Sequence, residues 1–299
     1  MVDIYATTAV IFRHAPQVSE GDPELLALTG RLLALLPWLR AIVVKQRDAA
    51  ADEARRGLVV WRASQDVELA REVCEHGVCY AVDLRMNQDA SFYLDTRLLR
   101  RWLSENAAGT TVLNTFAYTG SLGVAARAGG AARVLHTDLS RRFLNVAKAS
   151  YRLNGFEVDR HDFVAQDVWS FLRGLKLQGD RFDLAIVDPP FFATSAGGTI
   201  EMNRDTRRIV NKVRPLVADG GRLVIVNNAL FLSGADFLAE LEALCVGGWL
   251  EIERTVGVPE DVTGTPATRR PTPGVDPSPF VHSTKIAVLA VHHRVDDRR

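Results

Sequence analysis

The sequence predicts an α/β protein built on a doubly wound, mostly parallel seven-stranded sheet, with a small α+β lobe ahead of it. From residue 109 onward, apolar runs alternate with amphipathic stretches at the spacing typical of a parallel sheet covered by helices. An apolar strand, 111–114, leads into a turn that ends at Gly120, where a helix of small residues begins. The next apolar strand ends in an acidic residue, Asp138. Together these features are typical of a sheet that holds a nucleoside at its edge.

The composition is that of an ordinary globular protein. The 299 residues are 47% hydrophobic and 24% charged, and 36 basic side chains balance 36 acidic ones. The net charge therefore does not indicate nucleic-acid binding, and the local basic clusters are either binding patches or solvated faces. No apolar stretch reaches the length of a membrane span and the first residues lack a signal-peptide pattern, so a cytoplasmic protein is expected.

The three cysteines, Cys74, Cys79 and Cys245, fit neither a disulfide framework nor a metal site. Cys74 and Cys79 are separated by four residues and lack a second pair of ligands, so they are expected to be buried small residues. The sequence therefore predicts a reducing compartment and no bound metal.

The lobe is expected to span residues 1–105, and the sheet domain residues 106–299. Leucines at three- and four-residue steps predict a helix over 23–38, with Pro23 near its start, where a missing N–H costs nothing. A helix over 96–104 is expected to turn its arginines outward. Short strands are expected at 41–45, 58–61 and 78–84.

The elements of the sheet domain follow in regular order. Strands are expected at 111–114, 133–137, 162–166, 182–187, 222–226, 249–255 and 284–291. Helices are expected at 121–129, 140–153, 167–176, 201–217 and 234–246. The proline-rich stretch 259–279 is expected to be a long loop, and long ordered loops in compact domains are commonly functional.

Two carboxylates follow strands of the predicted sheet, on the edge where ligands bind. Asp138 is placed to accept from the ribose hydroxyls of a nucleoside, and Asp167, after the third strand, from the amino group of an adenine. Both also have a structural interpretation as helix N-caps, because Asp138 lies before Ser140 and Asp167 opens a helix. A nicotinamide oxidoreductase would also use Asp138, but its glycine-rich fingerprint contrasts with the single Gly120 of this turn.

Asp188-Pro189-Pro190-Phe191 follows the apolar strand 182–187, and a nicotinamide site would leave this segment without a purpose. The two prolines fix φ and remove two backbone donors, so the carbonyls remain free to accept from a target amine. Phe191 offers a face on which a planar base can stack. A plain turn is the alternative interpretation, but the doubled proline favours a functional one.

Several motifs occur in an order and at intervals that resemble a known family. They are Tyr93-Leu-Asp-Thr-Arg97, Leu113-Asn-Thr-Phe-Ala-Tyr-Thr-Gly120, Asp138-Leu-Ser140, Leu153-Asn154-Gly155 and Asp188-Pro-Pro190. Over residues 70–230 the chain resembles the large-subunit ribosomal RNA methyltransferases of the I and K/L types. The resemblance implies the Rossmann-like class I methyltransferase fold, S-adenosylmethionine as cofactor, and a role in ribosomal RNA processing.

The same resemblance implies a set of site residues. The cofactor is expected to contact Tyr93, Asp95, Arg97, Asn114, Phe116, Tyr118, Thr119, Gly120, Asp138, Leu139, Asp167, Val168 and Asp188. The catalytic group is expected to be Asp188, Pro189, Pro190, Phe191 and Asn227. In this interpretation Tyr93, Asp95 and Arg97 hold the methionine end of the cofactor.

Two departures from that family bear on the acceptor. Its C5-pyrimidine branch needs a cysteine thiolate, but Asn227 and Asn228 end the fifth strand and no cysteine follows Asp188-Pro-Pro190. The sequence therefore favours a lone-pair nucleophile such as guanine N7 over cytosine C5. Members of the I type also carry an RNA-binding PUA domain at the front, for which the helix near the start of this chain is expected to be too short.

The sequence leaves two classes of acceptor molecule as alternatives. Structured ribosomal RNA is favoured by the resemblance, and a small molecule or natural-product intermediate by the neutral charge and by the loop at 259–283 as a lid. A protein that binds S-adenosylmethionine without catalysis is a third alternative, because fold alone does not establish activity. No membrane partner is expected, and the oligomeric state, a homodimer included, stays open.

Overall fold

The computed structural model describes residues 1–13, 22–46, 51–190, 192–195, 198–201, 205–265, 267–268 and 274–293. The chain forms two compact units, Met1–Tyr93 and Leu94–Arg299. The sequence analysis set the boundary at residue 105, which lies inside a helix, Arg97–Asn106, of the second unit. That helix buries Leu99 in an apolar cluster shared with strands of the second unit, which explains why it belongs with the sheet.

The first unit consists of a four-stranded sheet, a long helix that packs on it and a separate hairpin. Its elements are β1 (Val2–Tyr5), β2 (Thr8–Arg13), α1 (Pro23–Leu35), β3 (Ala41–Gln46), α2 (Asp52–Arg56), β4 (Leu58–Arg62), β5 (Glu72–Glu75) and β6 (Val78–Ala81). Strands β1 to β4 lie side by side in that order, with β2 and β3 parallel and the other pairs antiparallel. Leu25 and Leu28 of α1 pack in one cluster with Ile42 of β3. The helix predicted over 23–38 is confirmed, but it ends at Leu35. Leu36 precedes Pro37, and a residue before a proline disfavours helical φ and ψ.

The structure overturns the expectation for two of the cysteines. β5 and β6 form an antiparallel hairpin in which Cys74 lies directly opposite Cys79, with 4.1 Å between their Cα atoms. The two form a disulfide, whereas the sequence analysis expected unpaired, buried residues. His76 and Gly77, at φ of 51° and 80°, make the two-residue turn that sets this register. The inference of a reducing compartment, which rested on unpaired cysteines, therefore loses that support.

The second unit is a seven-stranded sheet with helices on both faces. Its helices are α3 (Arg97–Asn106), α4 (Ser121–Ala128), α5 (Arg141–Leu153), α6 (Val168–Gln178), α7 (Thr206–Val213), α8 (Gly234–Cys245) and α9 (Glu260–Thr263). Its strands are β7 (Thr111–Thr115), β8 (Arg133–Asp138), β9 (Phe163–Ala165), β10 (Phe182–Val187), β11 (Phe192–Ser195), β12 (Gly198–Glu201), β13 (Val217–Asn227), β14 (Leu250–Val256) and β15 (Lys285–Val291). The order in the sheet is β14-β15-β13-β10-β7-β8-β9, with β15 antiparallel to both neighbours, and β11 pairs separately with β12. The predicted doubly wound, mostly parallel seven-stranded sheet is confirmed.

Both faces of this sheet are buried, which explains the continuous apolar runs of its strands. In β10, Ala185 and Val187 belong to one apolar cluster, which includes Trp169 of α6. Leu184 and Ile186 belong to a second cluster, because successive side chains of a strand point to opposite faces. The core therefore holds the carboxyl ends of the central strands in place from both sides.

The arginines of α3 do not form one outward-facing row, and the expectation that they do is wrong. Arg100 is 1% exposed, and its guanidinium donates to the Thr96 hydroxyl at 2.8 Å. Arg101 instead makes an exposed ion pair with Glu105, at 2.8 Å.

Among the helices that the structure describes, none has the length and apolar character needed to cross a bilayer.

Candidate functional site

The turn after β7 is held in a conformation that few residues adopt. Phe116, Tyr118 and Gly120 have φ of 52°, 51° and 77°, all in the left-handed region. A non-glycine residue there is strained by about 1–2 kcal/mol, so the surrounding structure has to hold it. One such support is the Ala117 N–H, which donates to the Thr137 carbonyl of β8 at 2.9 Å. Strain of this kind concentrates where ligands bind.

Asp138 ties this turn to the end of β8. Its Oδ2 accepts from the Tyr118 N–H at 2.8 Å and its Oδ1 from the Ser140 N–H at 2.8 Å. Burial raises the pKa of its carboxyl, and these backbone hydrogen bonds act in the opposite direction. The N-cap of α5 is Ser140, whose Oγ accepts from the Phe143 N–H at 3.4 Å. The Leu139 N–H is a third backbone donor to this carboxylate. A carboxylate has about four acceptor positions, so Asp138 keeps about one for a hydroxyl group of a ligand.

A buried polar network lies beneath the turn. Nδ2 of Asn114 is 3.2 Å from Nδ1 of His136, and Nε2 of His136 is 3.0 Å from the Tyr151 hydroxyl. Burial lowers the pKa of His136 to about 3, so its imidazole is neutral and packs flat against Phe163, with 4.8 Å between the ring centroids. Asn114 and Thr119, both expected to contact the cofactor, are buried, and the side chain of Asn114 belongs to this network rather than to the open edge.

The residues after β8 and β9 differ in exposure. Leu139 is 66% exposed, so its apolar side chain offers a surface to a planar ring at the open edge. Asp167 is the N-cap of α6, and its Oδ1 accepts from the Ser170 N–H at 3.0 Å, as the capping interpretation expects. Val168 is buried in the core and lies behind that edge.

The carboxylate of Asp188, just after β10, feels the negative charge of Asp95, which lies just before α3. Burial raises the pKa of Asp188 to about 7, and the negative charge of Asp95 acts in the same direction. Oδ2 of Asp95 accepts from the Thr284 hydroxyl at 2.6 Å, whereas its Oδ1 is buried with no hydrogen-bond partner in the described part of the chain. A buried carboxylate oxygen left unpaired is unfavourable. The pair therefore fits a cationic ligand.

Two basic side chains, His282 and Lys285, belong to the surroundings of this acidic pair, because the pKa of His282 responds to the charges of both Asp95 and Lys285. Burial lowers the pKa of His282, more than the charge of Asp95 raises it, so the imidazole is mostly neutral at pH 7. The ammonium of Lys285 donates to the carbonyls of Ala229 at 2.9 Å and Ser283 at 2.6 Å. Burial also lowers the pKa of Lys285 to about 8. A ligand with a fixed positive charge would therefore still be attracted to the two carboxylates.

The two asparagines at the end of β13 have different surroundings. Asn227 is buried, with its Oδ1 accepting from the Ala229 N–H at 2.9 Å and its Nδ2 donating to Oγ1 of Thr206 at 3.3 Å. These contacts anchor the turn, although the sequence analysis placed Asn227 in the catalytic group. Oδ1 of Asn228 is buried and has no hydrogen-bond partner among the described residues, which makes Asn228 the better candidate to bind an acceptor. Burial raises the pKa of the Cys245 thiol on α8, which disfavours its thiolate form.

The Asp188-Pro189-Pro190 segment forms a ledge at the end of β10. Pro189 is buried and Pro190 is exposed, and neither has an N–H to donate. The backbone carbonyls of this ledge are therefore suited to accept hydrogen bonds from an acceptor molecule. Phe191, the fourth residue of the predicted catalytic motif, lies outside the described residues.

Two further residues with predicted cofactor contacts already have partners. Tyr93 belongs to the first unit, where its hydroxyl donates to Oδ2 of Asp89 at 3.0 Å. Arg97, at the start of α3, donates to Oδ2 of Asp261 in α9 at 2.6 Å. This ion pair joins α3 to the segment 259–283, which the sequence analysis interpreted as a functional loop. The contacts of Tyr93 and Arg97 with the cofactor stay predictions.

Sequence reasoning missed Thr284 as the hydrogen-bond donor to Asp95. The two residues are 189 positions apart in the chain, and no spacing rule connects them. They meet because β15 lies beside β13 in the sheet, so that the residue just before β15 comes to the same edge as the end of β10. The signal that could have found Thr284 is its position as the first residue of the predicted strand 284–291, which many residues without a functional role share.

Comparisons with known proteins agree with this geometry. A family model described as S-adenosylmethionine-dependent methyltransferase matches residues 23–269. Ribosomal RNA large subunit methyltransferase K of Neisseria meningitidis serogroup B is 36% identical over 174 residues, which cover 58% of this chain and 49% of the relative. Ribosomal RNA large subunit methyltransferase K/L of Shewanella amazonensis is 32% identical over 256 residues, 83% of this chain and 34% of the relative. The chain thus spans half or less of the length of these curated relatives.

A solved structure, that of a putative methyltransferase complexed with SAH, superposes with a TM-score of 0.79 at 20% identity. The match covers 97% of this chain and 71% of the other. At this level of identity the likeness shows the fold, which is that of the class I methyltransferases.

Proposed function

This chain belongs to the S-adenosylmethionine-dependent methyltransferase family, and we propose that it methylates a nitrogen of a base in large-subunit ribosomal RNA. The proposal depends on one observation above all: the carboxylate of Asp188, just after β10 and next to the strand that carries the glycine turn, is buried and feels the negative charge of Asp95, which lies just before α3. S-adenosylmethionine carries a positive sulfonium and a positive ammonium, and nearby opposite charges of this kind favour ionised carboxylates. The names of the similar relatives support ribosomal RNA as the substrate.

In this proposal the second unit holds the cofactor at three points. Asp138 uses its remaining acceptor position for a ribose hydroxyl. Leu139 packs its exposed side chain against the adenine. Asp95 accepts from the ammonium through Oδ1, which has no partner among the described residues, and Asp188 supplies negative charge near the sulfonium.

The acceptor in this proposal is a nitrogen with its own lone pair, such as guanine N7. Addition to carbon C5 of a pyrimidine needs a thiolate, and the segments after β10 and β13 contain none. The ledge carbonyls and Asn228 position the base, so that the bond to nitrogen forms as the carbon–sulfur bond breaks and its electron pair passes to sulfur. The chain's contribution is mainly to orient the two reactants and to exclude water. The cytoplasmic location and a homodimer stay predictions.

The test compares the methylation map of ribosomal RNA, obtained by mass spectrometry, from cells with and without the gene. One large-subunit guanine is expected to lose its methyl group, and expression of the wild-type chain should restore it. Asp138→Asn, which keeps the shape of the side chain but removes the charge, should not restore it. Identical maps with and without the gene would refute the ribosomal substrate, and methylation of a small molecule by the purified protein would then identify the other class of acceptor.

Thr284→Val should weaken the binding of S-adenosylhomocysteine by roughly tenfold, measured by isothermal titration calorimetry. The substitution keeps the shape but removes the hydroxyl that donates to Asp95 at 2.6 Å. A hydrogen bond to a charged group contributes about 1.5–3 kcal/mol, and without it the carboxylate is free to turn away from the ligand. Thr284→Ser keeps the hydroxyl and should bind as the wild type does. Equal affinities for the valine and serine variants would show that Thr284 does not position Asp95.

A further inference from the structure

A cavity of about 320 Å³ lies against β9, the outer strand of the sheet, and no part of the proposed cofactor site uses it. Four basic side chains line its wall: Arg141, Lys148, Arg160 and His161. We call this cavity the basic pocket. Leu144 and Phe163, both nearly buried, form its apolar floor. A cleft lined by charges of one sign over an apolar wall concentrates the electric field and attracts counter-ions.

The cations of the basic pocket form a row. Arg141, Leu144 and Lys148 are three and four residues apart on α5, so they lie on one face of the helix. At about 1.5 Å per residue, Arg141 and Lys148 are about 10 Å apart along the helix axis. Arg141 begins α5 just after Asp138, and Asp138 pairs with Ala165, another residue of the pocket wall. The row therefore starts at the ligand-binding edge of the sheet and continues along β9.

The acidic residues near the pocket already have partners. Oδ1 of Asp159 accepts from the His161 N–H at 2.9 Å and lies 2.9 Å from Nδ1 of the same residue. Asp162 accepts from Nε of Arg133 at 2.7 Å. Among the residues that the structure describes, no ion pair links the remaining three basic side chains of the pocket to an acid. These are Arg141, Lys148 and Arg160. The pocket therefore keeps about three positive charges for a ligand.

We propose that the basic pocket binds backbone phosphates of the RNA strand that carries the methylated base, an inference that rests on the proposed function. Successive phosphates along a strand lie several ångströms apart, so a row of about 10 Å spans about two of them. β9 lies three strands from β10, a distance of about 15 Å at the usual strand spacing of ~4.8 Å. The bound phosphates thus lie a few nucleotides from the target base. Contacts of this kind orient the RNA without selecting its sequence.

The test measures binding of protein-free large-subunit ribosomal RNA to the full chain by filter binding at several salt concentrations. Arg141→Glu/Arg160→Glu reverses two exposed charges of the pocket. Arg152→Glu/Arg181→Glu, the matched control, reverses two exposed arginines elsewhere and changes the net charge equally. The pocket variant should bind RNA at least about 30-fold more weakly, with the slope of log K against log salt reduced by about 1.5–2. The control should change the affinity by less than about threefold, with a slope close to that of the wild type.

Further measurements distinguish failure of this inference from failure of the proposed function. Lys148→Gln, which removes one charge from the pocket without reversing it, should reduce the slope by about 0.7–0.9. Affinity for S-adenosylhomocysteine should stay within about twofold of wild type in the variants, because the cofactor contacts are unchanged. If the wild type methylates the RNA and the pocket variant binds it as tightly, or if the control variant loses as much affinity, the inference is wrong. If the wild type binds S-adenosylhomocysteine but neither binds nor methylates RNA, the ribosomal function and this inference both fail. Saturable binding of inorganic phosphate that does not compete with RNA would identify a small-anion site instead and would also overturn the inference.

Discussion

Replacing Gly120 with alanine is expected to lower the affinity for S-adenosylhomocysteine by at least about 100-fold. An added Cβ would lie 2.5 Å from the Cβ of Ala147, and Gly120 has a φ of 77°, where alanine is strained. Overpacking costs about 1–3 kcal/mol and left-handed strain about 1–2 kcal/mol, so the turn would have to move. Movement would break the hydrogen bond from the Tyr118 N–H to Asp138 and displace both from the cofactor. Isothermal titration calorimetry measures the affinity directly.

Gly155→Ala is the matched control for this substitution. Gly155 follows α5 with a φ of 69°, and an added Cβ there meets no atom within 4 Å. This variant therefore carries the same kind of strain without the close contact, and should lose about 1 kcal/mol of unfolding free energy with little change in affinity. If the two variants bind S-adenosylhomocysteine equally well, the contact with Ala147 does not control the turn. Circular dichroism establishes that both are folded at the temperature of the titration.

Asp188→Asn is expected to reduce methyl transfer by roughly 100-fold or more, because the negative charge beside the cofactor's sulfonium is lost. The same variant should be more stable than the wild type without ligand at pH 8, by roughly 1–3 kcal/mol. Burial and the charge of Asp95 raise the pKa of Asp188 to about 7 from its ordinary value of 3.8. A carboxylate that is unfavourable in the empty site and required in the occupied one is characteristic of a site that gives up stability for function.

The pH dependence of this stability difference has a definite sign. As pH rises from about 4 to about 7, the unfolded chain loses the Asp188 proton before the folded chain does, so the wild type becomes less stable across this window. Asparagine does not titrate, so the advantage of Asp188→Asn should be absent below about pH 4, grow through the window and level off above pH 7. Denaturant unfolding at a series of pH values measures it. The titrations of His282 and Lys285 are common to both proteins and cancel to first order in the difference, whereas the charge of Asp95 acts on Asp188 and is part of the effect that is measured.

Asp180→Asn, in the turn before β10, provides the control for a general effect of removing a carboxylate. Its stability relative to the wild type should not follow the curve predicted for Asp188→Asn.

The affinity for the cofactor is expected to change with pH in the direction opposite to that of the stability, because a cationic ligand favours the ionised carboxylate. Wild-type affinity should therefore fall as pH drops below 7, whereas Asp188→Asn should bind weakly at every pH in that range. A stability difference that does not depend on pH would contradict the raised pKa of Asp188.

Much of the sheet could be predicted because its signals are local. Apolar runs buried on both faces mark β7, β8 and β10, and the polar residues that follow them must meet at one edge of a parallel sheet. This rule predicts from the sequence that Asp138 and Asp188 lie at the same edge of the sheet. The strands β1 and β2 and the hairpin of β11 and β12 were not predicted, since short strands carry weak periodicity.

The wrong expectations share a different cause. The disulfide between Cys74 and Cys79 depends on the register of a hairpin, and a shift of one residue in that register would have separated the two cysteines. The burial of Arg100 reverses the usual behaviour of arginine, and it depends on what the rest of the unit packs around α3. Neither outcome follows from spacing or residue type.

The succession of strands and helices, the turn that ends at Gly120 and the two prolines after Asp188 could all be inferred from residues that are close neighbours in the chain. Only the folded structure shows that Thr284 donates to Asp95 across 189 positions and that Oδ1 of Asn228, unlike that of Asn227, has no hydrogen-bond partner in the part of the chain that is described. It also shows that Arg141, Lys148 and Arg160 line one pocket together with His161. The physical reason is that backbone conformation is governed largely by short-range sterics and patterning. Burial, hydrogen-bond pairing and the pKa values that follow from them depend on every element packed around a group.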